Sequence, residues 1–455
     1  MNPMRTPIRP QTSLVQAPVG NHRHFGELRA IAETLDKLPE AVARVHADRV
    51  RGGVDADKGR KGMSAEEVLR VMIIKQMNEF SYEQLEFHLA HSVAYRSFCG
   101  FGIGDDSPSK STLQRNIKLV TAETLEAINR MIVNHANCNG IEDGQTIRTD
   151  STVIKSAIHK PTDSSLLWDC VRVLVRLMER SRTFIKFAFT DDSRKAKKTT
   201  FAISNMGSSE KRTALYDELL TITRATVESA KQIADALGGC RFDDPRKQRS
   251  ACELSEEMIQ IIAHACRVID QTHRRVILNG SVPAPEKIVS IFEPHVDVIV
   301  KDRRDTLYGH KVFITTGASG LVVDILVEDG NPADSTLAVK MVERQNEIYK
   351  RVPRQAAFDG GFTSRANLEA IKKLGVEDVA FSKGRGLEVA EMVKDADVYQ
   401  KLRNFRAGVE GVISFLKRSF CLDRCTWRSL ASFNAFTWGS VVAANLLIVA
   451  RHSLS

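Results

Sequence analysis

Three acidic residues far apart in the chain have the type and setting that phosphoryl-transfer chemistry needs: Asp150, Asp359 and Glu410. Asp150 closes the short β-like run 145–150. Asp359 closes a second, 354–359, and Gly360 and Gly361 follow it. Glu410 lies in a helical pattern between Arg406 and Lys417. Each has an ordinary reading when taken alone. An Asp after a strand is a common turn residue, and a Glu with Arg four residues before it is a common surface helix pair. Brought to one point, the three make an oxygen-rich pocket for divalent cations. Two Mg2+ (or Mn2+) ions about 3.5–4 Å apart can hold the attacking and leaving oxygens of an in-line phosphodiester displacement. Such hard ions are satisfied by carboxylates and water. One aspartate would bridge the ions and the other two acids would hold one each. Arg406 and Lys417 cannot ligate a metal and would instead neutralise DNA phosphate beside the acids.

The elements that must position these residues can be read from periodicity. β character runs over 145–153, 296–301, 309–316, 321–327, 354–359 and 378–382, with 317–320 turning 309–316 back on 321–327 as a hairpin. Helical spacing covers 335–350, 364–374 and about 400–452. In the last of these, Phe405, Val409, Val412, Leu416 and Phe420 form an apolar stripe, and Arg406, Glu410, Ser414 and Lys417 form its neighbour. That places Glu410 at the border of the buried face. With the helical stretch 165–290 set aside, the order is β-β-β-α-β-α-β-α, the element order of the RNase H-like fold. The first and fourth strands of that fold lie side by side, so their C-terminal ends would present Asp150 and Asp359 together.

The fold class expected is therefore α+β / α/β: an RNase H-like mixed β-sheet catalytic core interrupted by a large helical insertion and preceded by an all-α N-terminal domain. Residues 1–25 read as a disordered arm and 26–140 as a helical N-terminal DNA-binding domain. The core takes 141–164 and 291–455, and the insertion 165–290. An amphipathic helix is predicted over 26–50, a Gly- and charge-rich loop over 51–62, and a capping box at Ser64 and Glu67. Further helices start at Ser81 and Ser111. This run of short helices reads either as a helix-turn-helix-like unit or as a plain helical bundle.

Composition agrees with a polyanionic partner. The 455 residues carry 65 Lys and Arg against 56 Asp and Glu, a net charge of +9. Residues 181–250 hold 14 Lys and Arg against 9 Asp and Glu, a net of +5. Arg194, Lys195, Lys197 and Lys198 cluster here, either as a solvated helix face or as a phosphate-backbone contact surface. His159, in a polar loop, either positions DNA or a water near the acids or is a plain loop histidine. Trp168 reads as packing. The eight cysteines are scattered without a disulfide framework. The N-terminus has no apolar segment of the secretory type. The most apolar stretch, 441–450, is shorter than the roughly 20 residues that cross a bilayer. A cytoplasmic, nucleoid-associated location is expected.

The chain resembles a DDE-type bacterial insertion-sequence transposase of the RNase H-like superfamily, in an ISNCY-like group with a Y-x2-R-x3-E-x6-K signature. The resemblance rests on 148–154 around Asp150, 159–169, 309–312, 327–335, 358–363 around Asp359, and 406–417. R-x3-E-x6-K is intact as Arg406, Glu410 and Lys417, while the tyrosine position holds Arg403, with Tyr399 four residues earlier. The resemblance implies binding to the terminal inverted repeats of the protein's own element, hydrolytic cleavage at the element ends, and attack of the freed 3′-OH on target DNA. It also implies a homodimer that pairs two ends. A nuclease of the same fold without strand transfer, or a catalytically silent DNA-binding derivative, are the alternatives.

Overall fold

The computed structural model describes residues 7, 22–53, 62–102, 104–301 and 305–455. The arm expected over 1–25 and the loop expected over 51–62 lie mostly outside these. The chain divides into two compact units, residues 1–157 with 310–455, and residues 158–309.

The first unit opens with helices Arg23–Asp36, Pro39–Arg51, Ala65–Met77, Tyr82–His91, Val93–Cys99, Lys110–Ile117 and Ala122–Cys138. The single helix predicted over 26–50 is two. Pro39 has no amide hydrogen to continue a helix but suits a first helical turn, so the chain restarts there. The capping box forms as read, with Ser64 Oγ accepting from the Glu67 amide and Glu67 accepting from the Ser64 amide.

Seven strands follow in chain order: β1 (Thr146–Ser156), β2 (Asp297–Lys301), β3 (Asp305–Thr316), β4 (Val322–Val327), β5 (Gln355–Phe358), β6 (Asp378–Phe381) and β7 (Arg424–Cys425). The sheet of the first unit runs β4-β3-β1-β5-β6, with β7 added beside the end of β1. β3 and β4 form the antiparallel hairpin, whereas β1–β5 and β5–β6 are parallel. This mixed order is that of the RNase H-like core. β1 runs on through Asp150, beyond the β character expected to reach 153. Its β-branched Thr152, Val153 and Ile154 carry it on to Ser156, where Lys155 and Ser156 pair with Arg424 and Cys425.

Side chains alternate across the sheet, as a period of two requires. Val312 and Ile314 join the larger core with the N-terminal helices, while Phe313 joins the other core with Phe358, Phe362 and Phe381. The helix Leu430–Leu454 is apolar on all sides and forms the axis of the larger core, against Arg23–Asp36, Ala65–Met77 and Ala122–Cys138. The 441–450 stretch is thus part of a 25-residue helix, long and apolar enough to cross a membrane, but 89% of its apolar window is buried inside the protein. Two buried amides complete this layer. Asn445 accepts from the Val322 amide at 2.9 Å and donates to the Val322 carbonyl and Asn129 Oδ1, both at 2.7 Å. They satisfy the outer edge of β4, which would otherwise offer bare backbone for pairing.

The second unit is built on four helices, Asp163–Ser181, Ser193–Asn205, Ser209–Gly239 and Pro245–Thr272, ending in a π-helical turn. They enclose their own core, including Leu167, Leu174, Leu220 and Met258. The helical stretch read over 165–290 is broken between these helices at 182–192, 206–208 and 240–244. β2 pairs antiparallel with the first half of β3, Asp297 opposite Gly309.

Candidate active site

The parallel ladder between β1 and β5 fixes the first two acids. Thr149 is the register partner of Phe358, the last residue of β5, so Asp150 and Asp359 follow side by side. Thr149 is locked from below by a 2.8 Å hydroxyl hydrogen bond with Thr315 on β3. Asp150 accepts from the Ser151 amide at 2.7 Å, and Asp359 accepts from Ser382 Oγ at 2.8 Å just after β6. Ser382 Oγ in turn accepts from the Gly360 amide at 2.8 Å.

The third acid arrives on the helix Ala396–Ser419. One cation gathers all three. Arg406 Nη2 lies 3.0 Å from Asp150 Oδ2 and 3.2 Å from Asp359 Oδ1, and Arg406 Nη1 lies 3.1 Å from Glu410 Oε1. The guanidinium is largely buried and its Nε has no hydrogen-bond partner. Glu410 is 66% exposed, further from the buried face than the stripe suggested. The apolar stripe itself is buried at Val409, Leu416 and Phe420 but only partly at Phe405 and Val412, where the helix packs across β1, β5 and β6.

Electrostatics differ between the two aspartates. Burial pushes the Asp150 carboxyl above its ordinary range, and the Ser151 amide and Arg406 only partly oppose this. Burial acts upward on Asp359 too, but there the bonds from Ser382 and the Gly360 amide, with the Arg406 charge, outweigh it and hold the carboxyl below the usual range. Three carboxylates on one guanidinium leave two negative charges uncompensated. Other acids of the unit are balanced locally: Asp334 pairs with Lys311 at 2.7 Å, and Asp324 is held by both arms of the Arg344 fork.

This excess charge and the all-oxygen donor set suit a hard divalent cation. Among the described residues no three His, Cys, Asp or Glu side chains close directly on a metal position; here the guanidinium fills the shared space. Cys421 and Cys425 form no disulfide with each other.

The remaining site candidates are placed as follows. Lys417 donates to the Val153 carbonyl at 3.0 Å, on β1 three residues past Asp150. Arg403 is exposed one turn before Arg406 on the same helix. Tyr399 does not replace a tyrosine at that position, since its hydroxyl donates to the Phe381 carbonyl at 2.9 Å and its ring packs in the core. Arg194, Lys195, Lys197 and Lys198 are all exposed on the helix Ser193–Asn205 of the second unit, with Lys195 near Glu218 at 3.4 Å. In that unit His159 lies 3.6 Å from the buried Asp169, and Trp168 packs against the core between Arg172 and Lys197.

Two supports escaped the sequence reading. Ser382 orients Asp359, and Arg148 holds the Glu410 helix by donating to Thr316 Oγ1 at 2.8 Å and the Phe405 carbonyl at 2.6 Å, its guanidinium 4.4 Å from the Phe405 ring centre. The only signal for Arg148 was its place two residues before Asp150 on a strand, where a long cation on the face opposite the core is unusual.

Comparison with protein families matches residues 282–446 to a transposase DDE domain and residues 17–119 to a transposase domain (DUF772). The first match holds Asp359, Arg406 and Glu410 but begins after Asp150, which joins them through the β1–β5 register and the Arg406 ion pair. Neither match singles out the ISNCY-like group. No curated protein and no solved structure matches.

Proposed function

We propose that the chain, which matches a transposase DDE domain and a transposase domain, is a DDE-type insertion-sequence transposase whose catalytic acids are Asp150, Asp359 and Glu410, cutting DNA at the ends of its own element and joining the freed 3′-OH to target DNA. The observation that carries this reading is the single guanidinium bonded to all three carboxylates. Three acids drawn from the middle of β1, the end of β5 and a helix serve no packing purpose there, and their unbalanced charge calls for more cation than Arg406 supplies.

The three acids would hold two Mg2+ or Mn2+ ions. Bound there, the ions would stabilise charge on the phosphate and make the attacking water or 3′-OH a better nucleophile. Arg406, displaced from the carboxylates, turns its fork to a DNA phosphate, a geometry that guanidinium matches well. Arg403 and Lys417 lie one turn before and about three turns after it on the same helix and extend the basic edge along the phosphate backbone. Arg148 and Ser382 hold Glu410 and Asp359 in place, so that little reorganisation is needed when the phosphate arrives. His159 and the Arg194–Lys198 face contribute further DNA contacts from the second unit. The protein acts as a homodimer on paired terminal inverted repeats, in the cytoplasm and at the nucleoid.

The test is cleavage of the element's own ends in Mg2+ by the wild type beside Asp150→Asn, Asp359→Asn and Glu410→Gln. Full activity in any one variant removes that residue from the catalytic set. Supplying pre-cut ends and a target plasmid then separates a transposase, which joins them, from a nuclease, which does not.

A further inference from the structure

In the first unit, between the N-terminal helices and the segment joining the last two helices, lies a cavity of about 600 Å³ that the three-acid site does not use. Its charge is one-sided. Lys75, Lys118, Arg424 and Arg428 line it against one carboxylate, Glu79, which already accepts from the Cys421 amide at 3.1 Å.

Its wall carries buried donors that lack acceptors. Trp427 is 6% exposed, yet its indole N–H makes no hydrogen bond, and the buried Tyr82 hydroxyl makes none either. Lys75 is 4% exposed, and its ammonium sits 5.1 Å from the centre of the Tyr82 ring with no carboxylate bonded to it. Burial holds that amine below its ordinary value. Native interiors rarely leave such groups unpaired. The backbone is strained here as well. Glu79 (φ 55°), Cys421 (φ 62°) and Ser429 (φ 79°), which follows Arg428, are three of the seven non-glycine residues in the left-handed region among the described residues. Strain of this kind persists where the surroundings enforce it, and it gathers at ligand sites.

The sheet connects this cavity to the acids. Arg424 pairs with Lys155, five residues beyond Asp150 on β1, a strand rise of about 17 Å. That is on the order of five base steps of duplex.

We propose that this cavity holds one unpaired nucleotide of the DNA substrate, its base against Tyr82 and Trp427 and its phosphate against the surrounding cations. The proposal rests on the DNA-cleaving reading of the three-acid site. The cavity walls match both halves of a nucleotide: aromatic rings accept a base of any identity, and the lining cations attract a phosphate.

Photo-crosslinking with 5-iododeoxyuridine on the full-length protein tests it. The probes are a duplex with one bulged 5-iododeoxyuridine, the same duplex fully paired, and free 5-iododeoxyuridine monophosphate. The bulged duplex is expected to cross-link to the peptides bearing Tyr82 or Trp427, and the paired duplex is not. Replacing the exposed Lys118 and Arg428 together by Ala should cut that yield about tenfold while the paired duplex still binds. Cross-links from a bound bulged duplex that fall only elsewhere in the chain overturn the cavity assignment and leave the DNA reading intact. Labelling of the cavity by the free mononucleotide and not by the bulged duplex also overturns it. Failure of both duplexes to bind would instead sink the DNA reading.

Discussion

Arg148 and Gly408 pack so closely that a β-carbon at 408 would collide with the Arg148 guanidinium. Gly408 lies two residues before Glu410, so this contact sets the depth at which the third acid approaches the sheet. Gly408→Ala is expected to push the helix outward and to lower DNA cleavage about a hundredfold, since small misplacements of catalytic groups are costly. Far-ultraviolet circular dichroism should stay unchanged, because alanine is a better helix former than glycine. Cleavage assays beside Arg148→Met decide it. If Gly408→Ala cleaves as the wild type does, the helix depth does not matter.

Removing an acid should be more specific. Asp150→Asn, Asp359→Asn and Glu410→Gln keep size and shape, and each is expected to lower cleavage by about a hundredfold or more. Binding of an end duplex, measured by fluorescence anisotropy, should hold or tighten because negative charge facing the phosphates is lost.

In the proposed mechanism Arg406 competes with metal for the acids. Arg406→Gln should therefore raise Mn2+ affinity of the DNA-free protein by about tenfold, the value of a charge-assisted bond. Electron paramagnetic resonance of free Mn2+ reads this directly. Cleavage should fall in the same variant. Mn2+ affinity equal to that of the wild type would mean that the guanidinium is no barrier to the ion.

The amide bridge is a stability device. Asn445→Leu leaves the Val322 amide without this acceptor and Asn129 Oδ1 without this donor, while Asn129 alone still holds the Val322 carbonyl. A loss of about 3 kcal/mol is expected in urea melts of the first unit.

Lys75 gives a pH signature. Its folded pKa is held below the unfolded value by burial. The unfolded chain therefore binds the proton more readily, and stability rises as pH climbs through the folded pKa toward 10.5. Lys75→Met removes the penalty, so it should be more stable than the wild type at pH 7. That advantage should shrink at pH 10. Parallel urea curves at both pH values test the sign.

Local signals were legible in the sequence. Ser64 and Glu67 announced a helix start that forms with both hydrogen bonds, and the 309–327 hairpin lies where its turn residues put it. The β/α order was enough to make β1 and β5 neighbours. What could not be read depends on contacts between distant segments. β1 continues past Asp150 partly because β7, some 270 residues later, is there to pair with it. Arg406 looked like an ordinary partner for Glu410 one turn away, and only the register of two other elements makes it the centre of three acids. Asn129 and Asn445 have the composition of surface residues, and only the fold reveals that they are buried.

The helix Leu430–Leu454 runs through the core that the helices from Arg23 onward also build. On the ribosome, those early helices emerge with their apolar faces uncovered and must wait for the segment beyond residue 430 before they can close. Until that helix leaves the exit tunnel, the β4 edge lacks Asn445 and the larger core lacks its axis. A nascent chain therefore exposes apolar surface of the kind chaperones bind, and a product truncated before residue 430 is expected not to complete its core.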